Sequence, residues 1–230
     1  MEGFNEALVP LWLSIKVATL ATLVVFVPGC LAGLLLSRRS FPGKAIVETL
    51  FELPLVLPPT AVGFMLLLAL GKDGLFGRNT LPFDPGILFT WRAAVLASAV
   101  MAFPLVARTA RVAFDNVDPR LERMAASLGF SRLAVKLRVT LPIAGRGLMA
   151  AALLGFSRAL GEFGATALVA GNQEGKTRTL ALAIFNDIQE GNYARARALL
   201  AIAIVLAYGA IAAVAWLQRR DRRLRGEEPS

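Results

Sequence analysis

The sequence predicts an all-α polytopic membrane protein with five transmembrane helices and one long polar loop on the cytoplasmic side. Three observations predict it. Of the 230 residues 56% are hydrophobic and the mean hydropathy is +0.61, far above a soluble average. Several apolar stretches reach the roughly 20 residues that a helix needs to cross a bilayer core about 30 Å thick. The formal net charge of +9 is concentrated in three segments that all fall on one side of the membrane if the spans number five.

The same composition excludes classes of function. A single cysteine, Cys30, rules out an internal disulfide, and the lack of histidine removes the commonest general base, proton shuttle and metal ligand. No catalytic residues and no metal ligands are therefore expected. In so apolar a chain the positive charge marks cytoplasmic loops, so no nucleic-acid partner is expected and the partner implied is the lipid bilayer. Glu2 and Glu6 precede the first apolar stretch whereas Arg38 and Arg39 follow it, the reverse of a signal peptide. The N-terminus is thus expected outside, on an uncleaved first span.

That span covers residues 8–36, with Lys16 as its one internal charge and Gly29 and Gly33 as a small-xxx-small pair suited to close helix approach. The basic turn SRRSFPGK leads into a second span, residues 45–70, which contains ELPLVLPP. Pro54, Pro58 and Pro59 each lack an N–H, so a break or kink is expected there. Irregular backbone at membrane depth survives only buried in protein or lining a cavity. The segment is a candidate wall of a translocation path, with a kink packed against a neighbour as the structural alternative. Residues 71–86 balance Lys72 and Arg78 against Asp73 and Asp84 and read as an external loop.

The third span covers residues 87–106, the fourth 143–170 and the fifth 196–217, followed by a basic cytoplasmic tail, residues 218–230. The segment 177–193 is too short in its apolar run to cross and would place the basic tail outside if it did. It is expected to be an external or re-entrant amphipathic helix. The whole chain, 1–230, is read as one transmembrane domain with a core at about 8–217.

GNQEGKT, residues 171–177, imitates a phosphate-binding loop, but three residues rather than four separate its first Gly from the Gly-Lys, and no strand precedes it. It reads as a polar turn, so no ATP site and no cofactor is expected on this chain. In the fourth span Arg158 and Glu162 stand one helical turn apart; intramembrane charges mark a transport route by default, and at this spacing they can also neutralise each other. Ser157, beside them, would be the nucleophile of an intramembrane hydrolase, a different class of reading, which without histidine would need a lysine base, and Lys16 is the one lysine within a span. Glu48 and Glu52, also one turn apart, face either cytoplasmic arginines, a partner or interfacial water.

The polar loop ERMAASLGFSRLAVKLRVTLP, residues 122–142, is amphipathic. Asp118 supplies an N-cap and Pro119 suits the first helical position. Leu121, Met124, Ala125 and Leu128 recur at helical spacing as one narrow apolar face beside Glu122, and Gly129 can end the helix in a left-handed conformation. Ser131 caps a second short helix carrying Leu133 and Leu137, which Leu141 and Pro142 are expected to break before the next span. Two angled cytoplasmic helices, residues 118–141, result. They fit either the membrane surface or a groove on a partner protein.

The spacing from Glu122 through Ala125 and Gly129 to Val139-x-Leu141-Pro142 resembles the EAA loop of type I ABC importer permeases. Aligned on Gly129, Arg123 and Met124 occupy the motif's Glu and first Ala positions, and Glu122 lies one position early. RSFPGKA, LPLVLPP, LERMAASLG and SRALGEFGAT followed by VAGN extend the similarity to the molybdate permeases of that superfamily, with sulfate and thiosulfate permeases next. The resemblance implies the type I ABC importer permease fold in the bacterial inner membrane and transport of molybdate or tungstate by alternating access. It also implies a second copy of the chain, two cytoplasmic ATP-binding subunits gripping the coupling helices, and an external molybdate-binding protein. A secondary carrier working without an ATPase is the remaining alternative.

Overall fold

The computed structural model describes residues 2–38, 40–77, 79 and 86–224. Among them every regular element is helical. Helix α1 (Glu2–Arg38) is followed by α2 (Lys44–Val56), α3 (Pro59–Leu70), α4 (Trp91–Asp115) and α5 (Pro119–Ser127). Helix α6 (Arg132–Val135) continues through a π-helical turn (Lys136–Thr140) into α7 (Leu141–Leu160), and α8 (Gly164–Ala170), α9 (Leu180–Gln189) and α10 (Tyr193–Leu224) complete the chain. Four helices are long and apolar enough to cross a membrane, and the bent pair α2 and α3, counted as one span, makes a fifth. Arg39, Arg78, Asp84 and residues 225–230 of the basic tail lie outside the described residues.

Helix α4 is the centre. Its Ala-rich surface buries Ala93, Ala94, Ala97, Ala102, Ala107 and Ala110, leaving backbones rather than long side chains in contact. Helix α1 runs parallel to it: Ser37 Oγ donates to Asp115 Oδ1 at one end (2.6 Å), and the Lys16 ammonium lies over the Trp91 ring at the other. Between these points Gly33 lies so close that a Cβ there would come within 2.7 Å of the Arg111 backbone nitrogen, and one at Gly29 within 2.7 Å of Val106 Cγ1. The small-xxx-small pair of α1 is thus a packing seam. Helix α7 runs antiparallel to α4, with Gly147 against Ala113 and Gly155 against Val106. Helix α10 is peripheral, with little of its span buried.

Three expectations are corrected. The third span begins at Trp91, behind the Thr90 N-cap whose hydroxyl accepts from the Arg92 N–H, and extends to Asp115. The fourth is interrupted: α7 ends at Leu160 and α8 restarts at Gly164. Leu141 and Pro142 do not break the chain's helix. The π turn ahead of them widens the spiral where Pro142 lacks its N–H and would meet the preceding turn, so α6 and α7 form one continuous rod from Arg132 to Leu160. Helix α10 runs on into the basic tail as far as Leu224.

Candidate functional site

Helix α5 is delimited by local chemistry. The Asp118 carboxylate accepts from the Arg120 N–H (2.8 Å) and Pro119 fills the first helical position. At the other end Gly129, at φ +88°, donates to Ala126 O (3.0 Å) while Phe130 donates to Ala125 O (3.3 Å), the paired bonds of a Schellman cap. Ser131 Oγ then accepts from Ala134 N and starts α6.

The expected apolar face of α5 is divided. Leu121, Met124 and Leu128 point outward, 42%, 63% and 79% exposed, whereas Ala125 is buried against the bundle. Glu122 also points inward. Its Oε1 accepts from the fully buried Thr140 hydroxyl (2.6 Å) and lies 3.4 Å from Arg38 Nη2, while Arg38 donates to Val117 O (3.0 Å). Glu122 therefore fastens α5 to the π turn and to the end of α1 rather than presenting a carboxylate to a partner. Beside it Arg111 Nη1 donates to Glu48 Oε1 (2.8 Å), joining α4 to α2, while Glu52 stays exposed. Arg38 stands in the sequence only as a basic residue after the first span, and Thr140 carries no signal there. Their bonds link elements far apart in the chain, which periodicity does not register.

The second feature is a meeting of two interruptions. Helices α2 and α3 bend by 109° at Leu57 and Pro58, with Pro59 at the first position of α3. Pro54 stays within α2 and borders a separate apolar recess with Phe51 and Phe103. The gap between α7 and α8 packs on the same place: a Cβ on Gly164 would come within 2.9 Å of Pro59 Cβ, and one on Gly63 within 2.8 Å of Ala165 Cα. Glycine and alanine allow two half-helices to touch here along their backbones.

Arg158 and Glu162 belong to this junction. Arg158 Nη1 donates to Glu162 Oε2 (2.8 Å), and Glu162 Oε1 accepts from the Ala165 N–H (2.9 Å), so one buried carboxylate neutralises the arginine and caps α8. Ser157 Oγ donates back to Leu153 O (2.9 Å) and borders an apolar cavity of about 330 Å³. Lys16, the one lysine within a span, is engaged with Trp91 instead. Among the described residues no cluster of His, Cys, Asp or Glu could hold a metal ion.

At the end of the bundle away from α5, Leu180 N donates to Ser14 Oγ (2.6 Å) and binds α9 to the start of α1. This is where a short external or re-entrant helix was expected. Arg195 Nε approaches Asp187 Oδ2 (3.5 Å), and burial pushes the Asp187 carboxyl up from its ordinary pKa while that guanidinium draws it down.

Comparison with known proteins accounts for this architecture. The chain is 42% identical over 216 residues to the molybdenum transport system permease protein ModB of Escherichia coli (strain K12), covering 93% of this chain and 94% of that protein. To the sulfate transport system permease protein CysT of Salmonella typhimurium (strain LT2) it is 33% identical over 212 residues, 90% of this chain and 76% of that protein. The fold superposes on a chain of the MetNI methionine ABC transporter in inward-facing conformations, with a TM-score of 0.69 at 18% identity over 91% of this chain and 93% of that one. Residues 29–226 match the family described as the binding-protein-dependent transport system inner membrane component, and to that family of membrane permease subunits this chain belongs.

Proposed function

We propose that this chain is the permease of an importer carrying molybdate, or its congener tungstate, and that it works as a pair of identical subunits. Two ATP-binding subunits would dock on the α5 ends of the pair and an external binding protein would deliver the oxyanion at the other end. The observation that carries the docking assignment is the Leu121, Met124 and Leu128 ridge: apolar, outward, and on a helix fastened to the bundle through Glu122. An exposed amphipathic helix of this kind fits a groove in a partner. The 42% identity to a molybdenum permease, against 33% to a sulfate one, favours molybdate over sulfate.

Charge supports the orientation. Arg38, Lys44, Arg111, Arg120, Arg123, Arg132 and Lys136 belong to the α5 end, which by the positive-inside rule is cytoplasmic. The N-terminus is then outside and the tail inside. ATP-driven closure of the partner subunits would draw the two α5 helices together, and the rod from Arg132 to Leu160 would carry that movement to the junction of α3 and α8. Pro58, Pro59, Arg158 and Glu162, with Ser157 nearby, are the proposed wall of the path. Pro54 belongs to the same bent pair but is turned to another recess. ATP is bound by the partners, and this chain needs no cofactor of its own.

The test is ATPase stimulation of the assembled complex in lipid by its binding protein loaded in turn with molybdate, tungstate and sulfate. Molybdate and tungstate are expected to stimulate and sulfate is not. Stimulation by sulfate alone would overturn the substrate, and uptake that persists without any ATPase subunit would overturn the mechanism.

A further inference from the structure

Where α1 and α4 begin, at the end of the bundle away from α5, a cavity of about 620 Å³ opens among Trp12, Lys16, Trp91, Arg92 and Lys176. Lys16 lies within the first span, eight residues past Leu8, or about 12 Å along the helix at 1.5 Å per residue. An ammonium at that depth is costly and marks a functional position by default. It is held 3.9 Å from the centroid of the Trp91 ring, and the Arg92 guanidinium carbon stands 5.7 Å from the same centroid. Lys176 reaches the cavity from the GNQEGKT turn. That turn uses its Thr177 hydroxyl internally, accepting from Gln173 N and donating to Gly171 O, and leaves its lysine exposed.

Three cations thus share one cavity, and among the described residues none has a carboxylate at ion-pair distance. The nearest in sequence, Glu174, turns away to Arg178 (3.4 Å) and Arg195 (3.8 Å). Lys16 is half-buried and Arg92 and Lys176 stand exposed beside it; like charges so gathered repel, and the aromatic ring offsets only part of that. Trp12, 67% exposed, and Val9, 46% exposed, form an apolar rim of the kind found where a membrane meets water.

We propose that this cavity is an oxyanion site, in which Lys16, Arg92 and Lys176 hold a tetrahedral oxygen anion beside Trp91. The anion comes either free from the aqueous phase or as the phosphate of an anionic phospholipid, whose chains would lie along the apolar rim. The inference does not depend on which solute the importer carries.

The test uses the assembled transporter in nanodiscs of phosphatidylcholine, with and without phosphatidylglycerol. Tryptophan fluorescence is titrated with molybdate and with inorganic phosphate, and retained phosphatidylglycerol is counted by native mass spectrometry. The variants are K16Q/R92Q and, should the span-embedded Lys16 prove necessary for folding, R92Q/K176Q, with K44Q at the opposite end as a control. A saturable fluorescence response whose midpoint weakens at least tenfold in the double variants, and not in K44Q, assigns a free oxyanion. Phosphatidylglycerol that survives delipidation in the parent and falls at least tenfold in the double variants, without a response to free anions, assigns the lipid phosphate. Equal responses and equal lipid retention in parent and double variants, or neither signal in the parent, would overturn the site.

Discussion

Glu122 Oε1 accepts a 2.6 Å hydrogen bond from Thr140 Oγ1, so α5, the proposed docking helix, is tied to the turn from which α7 departs. Thr140 is fully buried, and Glu122 lies in the first turn of α5, where a carboxylate also complements the helix dipole. Removing the acceptor strands the hydroxyl. Glu122→Ala is expected to cost about 1–3 kcal/mol, the penalty for an unsatisfied buried donor, and to lower molybdate transported per ATP hydrolysed. Glu122→Gln keeps an acceptor and is expected to lie close to the parent. A thermal-unfolding cycle with Thr140→Val reads the pair directly: a coupling below about 0.5 kcal/mol would mean the two side chains act independently.

The outward ridge of α5 gives a second prediction. A docking helix concentrates its energy in a few central apolar contacts, and truncating one typically costs 2 kcal/mol or more, about 30-fold in affinity. Leu128→Asp and Met124→Asp are expected to weaken ATPase-subunit binding at least 30-fold while the permease still inserts and pairs. Leu133→Asp, on the exposed start of the rod beyond Gly129, serves as a neighbouring comparison. Co-purification from membranes decides the matter: retention of the ATPase by Leu128→Asp would place the docking surface elsewhere.

Glycines in the bundle separate by what surrounds them. A Cβ on Gly33 would meet the backbone of Arg111 and Ala107 O at 2.7 and 2.8 Å, atoms that cannot move without parting α1 from α4. At Gly145 in α7 nothing lies within 4 Å. Gly33→Ala should therefore lower the yield of folded protein sharply, whereas Gly145→Ala should raise thermal stability by up to about 1 kcal/mol through helix propensity alone. Fluorescence-detected size exclusion on heated samples compares them, and equal melting of the two variants would contradict the packing seam.

How far these features were legible in the sequence depends on their range. Asp118, Pro119, Gly129 and Ser131 fixed α5 and the start of α6 because caps and left-handed turns are local chemistry. The prolines of the second span marked its bend, although only Pro58 and Pro59 stand at it and Pro54 is absorbed into α2. Pro142 misled, because a proline read alone predicts a stop and the π turn that accommodates it has no compositional mark. The gap after Leu160 lies inside a stretch long and apolar enough to read as one span. Its one signal is Glu162 between Gly161 and Gly164, a carboxylate three residues ahead of the N–H that it caps. The inward turn of Glu122 and Ala125 depends on Thr140 and Arg38, partners that no periodicity names.

Arg158 and Glu162 give the last prediction, because the two members of the pair are not equivalent. Glu162 is nearly fully buried and has two duties, receiving Arg158 on one oxygen and Ala165 N on the other; Arg158 is about a quarter exposed. Losing the arginine leaves a buried carboxylate uncompensated, which costs about 3 kcal/mol, the lower end for breaking a buried pair given the partial exposure. Glu162→Gln keeps an oxygen for the α8 cap and removes the charge that needs a partner. Arg158→Ala is therefore expected to destabilise more than Glu162→Gln, and the double variant Arg158→Ala with Glu162→Gln to recover part of the loss in melting temperature. If the pair also lines the path, molybdate uptake should stay low in the double variant even where stability returns. Uptake that recovers in step with melting temperature would assign the pair to structure alone, and normal uptake by Arg158→Ala would remove it from the route.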